Sequence, residues 1–201
     1  MNQIVNLEKE HKKLNNICFS TRYQGSKRRV LSWIYTKIRK IDFNSALDAF
    51  GGSGSVSYLF KLMNKDVCYN DILDSNRQSA LALIKNSNTS LSNEDIQFLF
   101  SEDIRFNYKK IISNHYEDIY FLSVENKELD IYIQNVERLN LFYSGNLLAL
   151  KKAIAYHCIF QGCLSKRPFN IFHRKNLNLR TADVKRNFGN KKTWEKSFLH
   201  F

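Results

Sequence analysis

Leu47-Asp48-Ala49-Phe50-Gly51-Gly52-Ser53-Gly54-Ser55-Val56 is the stretch whose reading decides the fold. The apolar run from Ala46 to Phe50 predicts a buried strand, and residues 55–63 then predict a helix, with the glycines as the turn between them. Strand, glycine turn and helix in that order bring a helix N-terminus close to a ligand, and glycines let the backbone pass nearby because no Cβ intervenes. No Gly-Lys-Ser/Thr follows, so this is not a phosphate-cradling P-loop. Ser57 stands where a dinucleotide fingerprint would place its third glycine. A nucleoside cofactor without a diphosphate remains, and it calls for an acid after the next strand. Val67-Cys68-Tyr69-Asn70 supplies that acid in Asp71, suited to a ribose hydroxyl pair. An ordinary βα turn is the plainer alternative.

Upstream stands Arg22-Tyr23-Gln24-Gly25-Ser26-Lys27, and residues 48–54 have the form Asp-x-Phe-x-Gly-x-Gly. With Asn70-Asp71 these motifs resemble the N6-adenine DNA methyltransferases of the Dam and restriction–modification type. The late segment Gln161-Gly162-Cys163-Leu164-Ser165-Lys166-Arg167-Pro168-Phe169-Asn170, continuing through Phe172-His173-Arg174-Lys175, is similar to the restriction-type members. The resemblance reaches from about Arg22 to the end of the chain. It implies S-adenosylmethionine as cofactor, held by Tyr23, Gly25, Lys27, Asp48, Phe50, Gly52, Gly54 and Asp71, with Lys27 toward the methionine end. It also implies double-stranded DNA as partner and methyl transfer to the adenine exocyclic nitrogen, from a base flipped out of the duplex. The chain departs from the family at one motif. Pro168 is its one proline, so the catalytic Asp/Asn/Ser-Pro-Pro-Tyr/Phe/Trp motif is absent and no catalytic residue is assigned.

Charge supports a polyanion. Thirty-one Lys and Arg stand against nineteen Asp and Glu, giving +12, and residues 166–196 alone carry ten basic and two acidic residues. Basic and amide side chains interleave there with Phe169, Phe172, His173, Phe188 and Trp194. Arg167, Asn170, His173, Arg174, Lys175, Arg180, Lys191 and Lys192 are the candidate DNA contacts. A basic surface loop is the alternative.

The rest of the chain places these motifs. Residues 1–16 read as a polar N-terminal extension, residues 17–90 as the S-adenosylmethionine-binding α/β part, and residues 91–201 as a helical and basic target-recognition region. Val30, Trp33, Ile34, Ile38 and Ile41 predict one helix face, and Ser26 its cap. A second strand is expected over residues 66–70 and a helix over residues 74–85, a βαβα start with a parallel sheet. Ser92 and Asp95 have capping-box form, and helices are expected over 104–114, 117–141 and 145–165. Tyr108, Tyr116, Tyr120, Phe121 and Tyr132 read as core or rim aromatics.

No apolar run approaches the roughly 20 residues of a membrane span, and the polar start is no signal peptide. Four scattered cysteines show no disulfide framework, so reduced thiols and a cytoplasmic setting are expected. Cys158 and Cys163, five apart with His157 and His173 nearby, match no common zinc module, and no metal is assigned. The expected architecture is therefore α/β: an incomplete Rossmann-like S-adenosylmethionine-dependent methyltransferase fold with a helical, basic DNA-recognition region. A truncated or split enzyme is expected, inactive alone and completed by a second polypeptide carrying the catalytic motif. Trp194, Phe198 and Phe201 are expected to lack a packing surface. The alternative is a non-catalytic DNA-binding or regulatory module that retains the cofactor fold.

Overall fold

The computed structural model describes residues 25–168, 172–174, 176–182 and 191–201, and the side chain of Lys191 is not described. The N-terminal extension and Tyr23 lie outside the described residues, as do Asn170 and Lys175. The chain divides after Ser87 into two compact units.

In the first unit a 3-10 turn, Arg28–Val30, runs into α1 (Leu31–Ile38). Leu31, Ile34, Tyr35 and Ile38 form its inner face and pack with Leu59. Val30, Trp33 and Ile41 are instead exposed. The predicted face assumed α-helical winding from Ser26, but the opening turn winds at three residues, and Ile41 lies beyond the helix end.

β1 (Ser45–Asp48), α2 (Ser55–Leu62) and β2 (Asp66–Tyr69) follow. The two strands pair in parallel, from Ser45 opposite Asp66 to Asp48 opposite Tyr69, with α2 as the crossover a parallel pair requires. The strand predicted to run to Phe50 and be buried does neither. It stops at Asp48, Phe50 is 93% exposed and Leu47 is 66% exposed. Exposure alternates along both strands, so one face of this two-stranded sheet is partly covered and the other is open among the described residues. The helix expected over residues 74–85 is α3 (Asp74–Ala80), followed by a π-helical turn, Leu81–Lys85. There the Lys61 ammonium donates to the carbonyls of Leu83 and Asn86 at the widened turn.

The second unit is helical: α4 (Asn93–Phe100), α5 (Ile111–His115), α6 (Ser123–Arg138), α7 (Gly145–Lys166), α8 (Asn176–Thr181) and α9 (Lys191–Trp194). Ser92 caps α4 as expected. Its Oγ accepts from Asp95 N at 3.2 Å, while Asp95 Oδ2 accepts from Ser92 N at 2.8 Å. Tyr143 OH and the Lys151 ammonium also reach the Asp95 carboxylate. The helix predicted over 104–114 shrinks to α5, and the one predicted from residue 117 begins only at Ser123. Side chains of α6 take the backbone groups instead. Asp130 accepts from Ile112 N and Ser113 N at 2.7 and 2.9 Å, and Asn135 Nδ2 donates to Phe98 O and Ser101 O at 3.0 and 2.8 Å.

The core of this unit joins Leu99, Phe121, Leu129, Tyr132, Val136, Leu139, Ala155, Ile159 and Phe198. Of the five aromatics read as core or rim, Phe121 and Tyr132 are buried and Tyr116 is exposed. The C-terminal aromatics do find a surface, against expectation. Trp194 and Phe198 are buried, and Phe198 lies against Phe121 and so close to Gly162 that a Cβ there would sit 2.9 Å from its ring. No helix among the described residues is long and apolar enough to cross a membrane.

Candidate functional site

The glycine loop folds back on β2. Gly51 N donates to Asn70 O at 2.9 Å, Asn70 Nδ2 to Ala49 O at 2.8 Å, and Tyr69 OH to Gly52 O at 2.8 Å. Gly51 must be glycine, because a Cβ would stand 2.0 Å from the Tyr69 ring. Gly52 and Gly54 have φ of +51° and +73°, a region that L side chains rarely adopt. Gly54 then opens α2, and its carbonyl accepts from Tyr58 N at 2.8 Å.

Asp71 anchors this loop from the far side. Oδ2 accepts from Gly52 N at 2.7 Å, and Oδ1 accepts from Leu73 N at 2.9 Å and Asn76 Nδ2 at 3.0 Å. Burial works against its charge, yet the Leu73, Asn76 and Gly52 donors hold the carboxyl below the usual carboxylate range. A carboxylate offers about four acceptor positions, so one remains for a ligand hydroxyl once three donors are bound.

Asp48 ends β1 and accepts from Ser57 Oγ at 2.6 Å. The serine in the place of a third glycine thus ties strand to helix and is fully buried. On the near side the hydroxyls of Ser26, Ser53 and Ser55 lie 2.8 to 3.2 Å from one another. Ser26 Oγ also accepts from Arg28 N at a long 3.3 Å, but the residue capping the opening turn is Lys27 and the one capping α1 is Val30, so Ser26 is not the cap expected of it. Lys27 is exposed, and its ammonium rests on Gly25 O at 3.1 Å.

These groups line an open cleft of about 360 Å³. Gly25, Lys27, Asp48, Phe50, Gly52 and Asp71, chosen from the sequence, all face it, and Gly54 stands next to it at the head of α2. Ser53 and Ser55 also line the cleft, and Asn76, Tyr69 and Ser26 brace it through their bonds to Asp71, Gly52 and the two serines; sequence reasoning chose none of them as site residues. Asn76 sits five residues after Asp71 inside α3, and no spacing rule marks it. The cleft suits a nucleoside: a carboxylate at one side, close backbone beneath and an exposed ammonium without a counter-charge among the described residues.

The basic candidates of the second unit do not act as one surface. Glu125, at the start of α6, is buried and accepts four donors. Arg180 Nη1 and Nη2 grip both its oxygens at 2.7 Å, Lys166 Nζ reaches Oε1 at 2.7 Å, and Leu122 N reaches Oε2 at 2.9 Å. Lys166 donates further to the carbonyls of Trp194 and Lys196. Arg180, chosen as a DNA contact, is therefore an interior ion pair. Arg167 is buried too, with its guanidinium 5.4 Å from the centre of the Phe172 ring. His173, Arg174 and Lys192 are exposed. Cys163 is inert, since burial pushes its thiol up to about 12.

Comparison with known proteins bears on what such a cleft and helical unit belong to. A family model described as D12 class N6 adenine-specific DNA methyltransferase matches residues 23–199. The Type II methyltransferase M2.HphI of Haemophilus parahaemolyticus is 31% identical over 150 residues, 75% of this chain and 41% of that protein. The chain thus spans about two-fifths of the length of this curated relative. No solved structure matches it. With the match covering both units from the first motif to the last turn, the chain belongs to the D12 class N6 adenine-specific DNA methyltransferase family.

Proposed function

We propose that this chain carries the cofactor-binding and DNA-recognition parts of an S-adenosylmethionine-dependent adenine DNA methyltransferase of a restriction–modification system. The observation that carries this reading is the convergence of Gly25, Lys27, Asp48, Phe50, Gly52 and Asp71 on one cleft. Asp71 offers its remaining acceptor position to a ribose hydroxyl, and Gly52 and Gly54 let the ligand approach the backbone. The Lys27 ammonium would hold the methionine carboxylate, and Phe50 would offer its exposed ring. When bound, S-adenosylmethionine supplies an electrophilic methyl group. No Pro-Pro pair exists among these 201 residues, so none of them is assigned to the grip on the adenine amino group.

A tritiated-methyl transfer assay on adenine-containing duplex DNA tests this, run with the chain alone and with a polypeptide carrying the Pro-Pro-Tyr motif. Transfer is expected only in the second case. Appreciable transfer by the chain alone would require an adenine pocket built without that motif and would overturn the division of roles.

Phosphate contacts fall to the exposed cations of the late segment, Arg174 and Lys192, together with Lys175 and Lys191. With about four phosphates neutralised, affinity for duplex DNA should fall roughly 10²-fold between 50 and 200 mM salt. Arg174→Ala with Lys192→Ala should flatten that dependence; a salt response equal to wild type removes these residues from the interface. Deleting the segment from Lys166 onward is no test, because Lys166, Arg180 and Phe198 hold the helical unit together.

A further inference from the structure

The loop of residues 101–110 is held rigidly around an exposed tip. Asp103 organises a turn: its carbonyl accepts from Phe106 N at 2.9 Å and its Oδ1 from Arg105 N at 3.0 Å. Its Oδ2 accepts from Arg138 Nη2 at 2.8 Å, and the Arg138 guanidinium lies 4.2 Å from the centre of the Phe106 ring. Asn135 accepts from Tyr108 OH at 2.7 Å, and the Gln134 amide bonds both backbone groups of Lys109 at 2.9 Å. All this fixes Ile104 at the second position of the turn with 96% of its surface exposed. Turn tips ordinarily carry small or polar residues, and an isoleucine there buries almost nothing in its own chain.

The charges around the tip are one-sided. Glu102 is paired with Lys127 at 2.8 Å and Asp103 with Arg138, whereas Lys109 and Lys110 are exposed with no ionic partner among the described residues. Arg105 has only a long 3.4 Å contact to Asp103. Ile104 with the partly exposed Phe106 is too little for a protein interface, which needs several hundred Å² on each partner. It does match the wedges that duplex-bending proteins insert between base steps, isoleucine among them, with cations on the adjacent phosphates.

We propose that Ile104 is a wedge that enters a base step of duplex DNA, with Arg105, Lys109 and Lys110 on the flanking phosphates. This rests on the DNA-binding reading above. A wedge must unstack an intact step but finds a ready gap at an abasic site, so it should prefer the second. The test is fluorescence anisotropy of the full chain with two labelled duplexes of one sequence, intact and carrying a single abasic site. Wild type is expected to bind the abasic duplex about tenfold more tightly. Ile104→Leu should keep that preference, and Ile104→Ser should bind both duplexes alike with an unchanged circular dichroism spectrum. Lys109→Ala with Lys110→Ala should weaken both duplexes equally and leave the preference intact. Salt-sensitive binding without preference, or a preference that survives Ile104→Ser, overturns the wedge and leaves DNA binding standing. Binding to neither duplex overturns both. If Ile104→Ser changes only self-association, seen by sedimentation without DNA, the tip is a protein contact and the wedge is wrong.

Discussion

Replacing Glu125 with alanine is expected to destabilise the helical unit by about 3–5 kcal/mol, because Lys166 and Arg180 would remain buried without their counter-charge. For a unit of this size that is a fall of roughly 10–20 °C in melting midpoint, read by circular dichroism. Glu125→Gln keeps the shape and some hydrogen bonds and should cost less. Burial by itself would raise the carboxyl pKa, but the donors from Arg180, Lys166 and Leu122 outweigh it and hold Glu125 below its ordinary value. A group depressed in the folded state stabilises above its unfolded pKa and loses that contribution as pH falls through the folded one. The wild-type midpoint should therefore drop on acidification below about pH 4.5, and that part of the drop should vanish in Glu125→Gln. A Glu125→Ala protein that melts within a few degrees of wild type would show that the cluster contributes little.

Asp71→Ala should abolish most S-adenosylmethionine binding. It removes the acceptor proposed for the ribose and releases Gly52 N, Leu73 N and Asn76 from their common partner. One lost charge-assisted hydrogen bond accounts for about 10- to 100-fold in affinity, and the loosened loop adds to it. Gly52→Val should act independently, by forcing a branched side chain into a backbone with φ of +51°. Isothermal calorimetry reads both. Heats for the double variant equal to those of wild type would remove the cofactor from this cleft.

What the sequence revealed and what it hid divide along physical lines. The glycine turn, Asp71 and the Ser92 cap were legible, because a local backbone geometry demands those residue types at fixed spacing. The face of α1 was misread, since a three-residue turn at Arg28–Val30 leaves no mark in hydrophobic spacing. Residues 104–110 were read as helix because the backbone of Lys109 finds its partner in Gln134, more than two dozen residues away. Arg180 was read as a DNA contact for a similar reason. A cation that faces phosphate and one that closes on a buried carboxylate look the same until the fold brings Glu125 beside it. Leu47 and Phe50 were assigned to a buried strand from apolar character alone, which does not say how many strands flank them.

The Glu125 cluster also bears on the order in which the chain can fold. It joins a helix start to Lys166, 41 residues later, and to Arg180, 55 residues later. Phe121 next to it waits for Phe198. Helices α4 to α7 can pair as they leave the ribosome, but the Glu125 carboxylate gains Lys166 only at the end of α7 and Arg180 only with α8, and the seam beside Phe121 stays open until Phe198 emerges. Contacts of such sequence separation form late and slowly. The unit thus closes its core only once Phe198 has been made, and until then its nascent form leaves that apolar seam open to solvent.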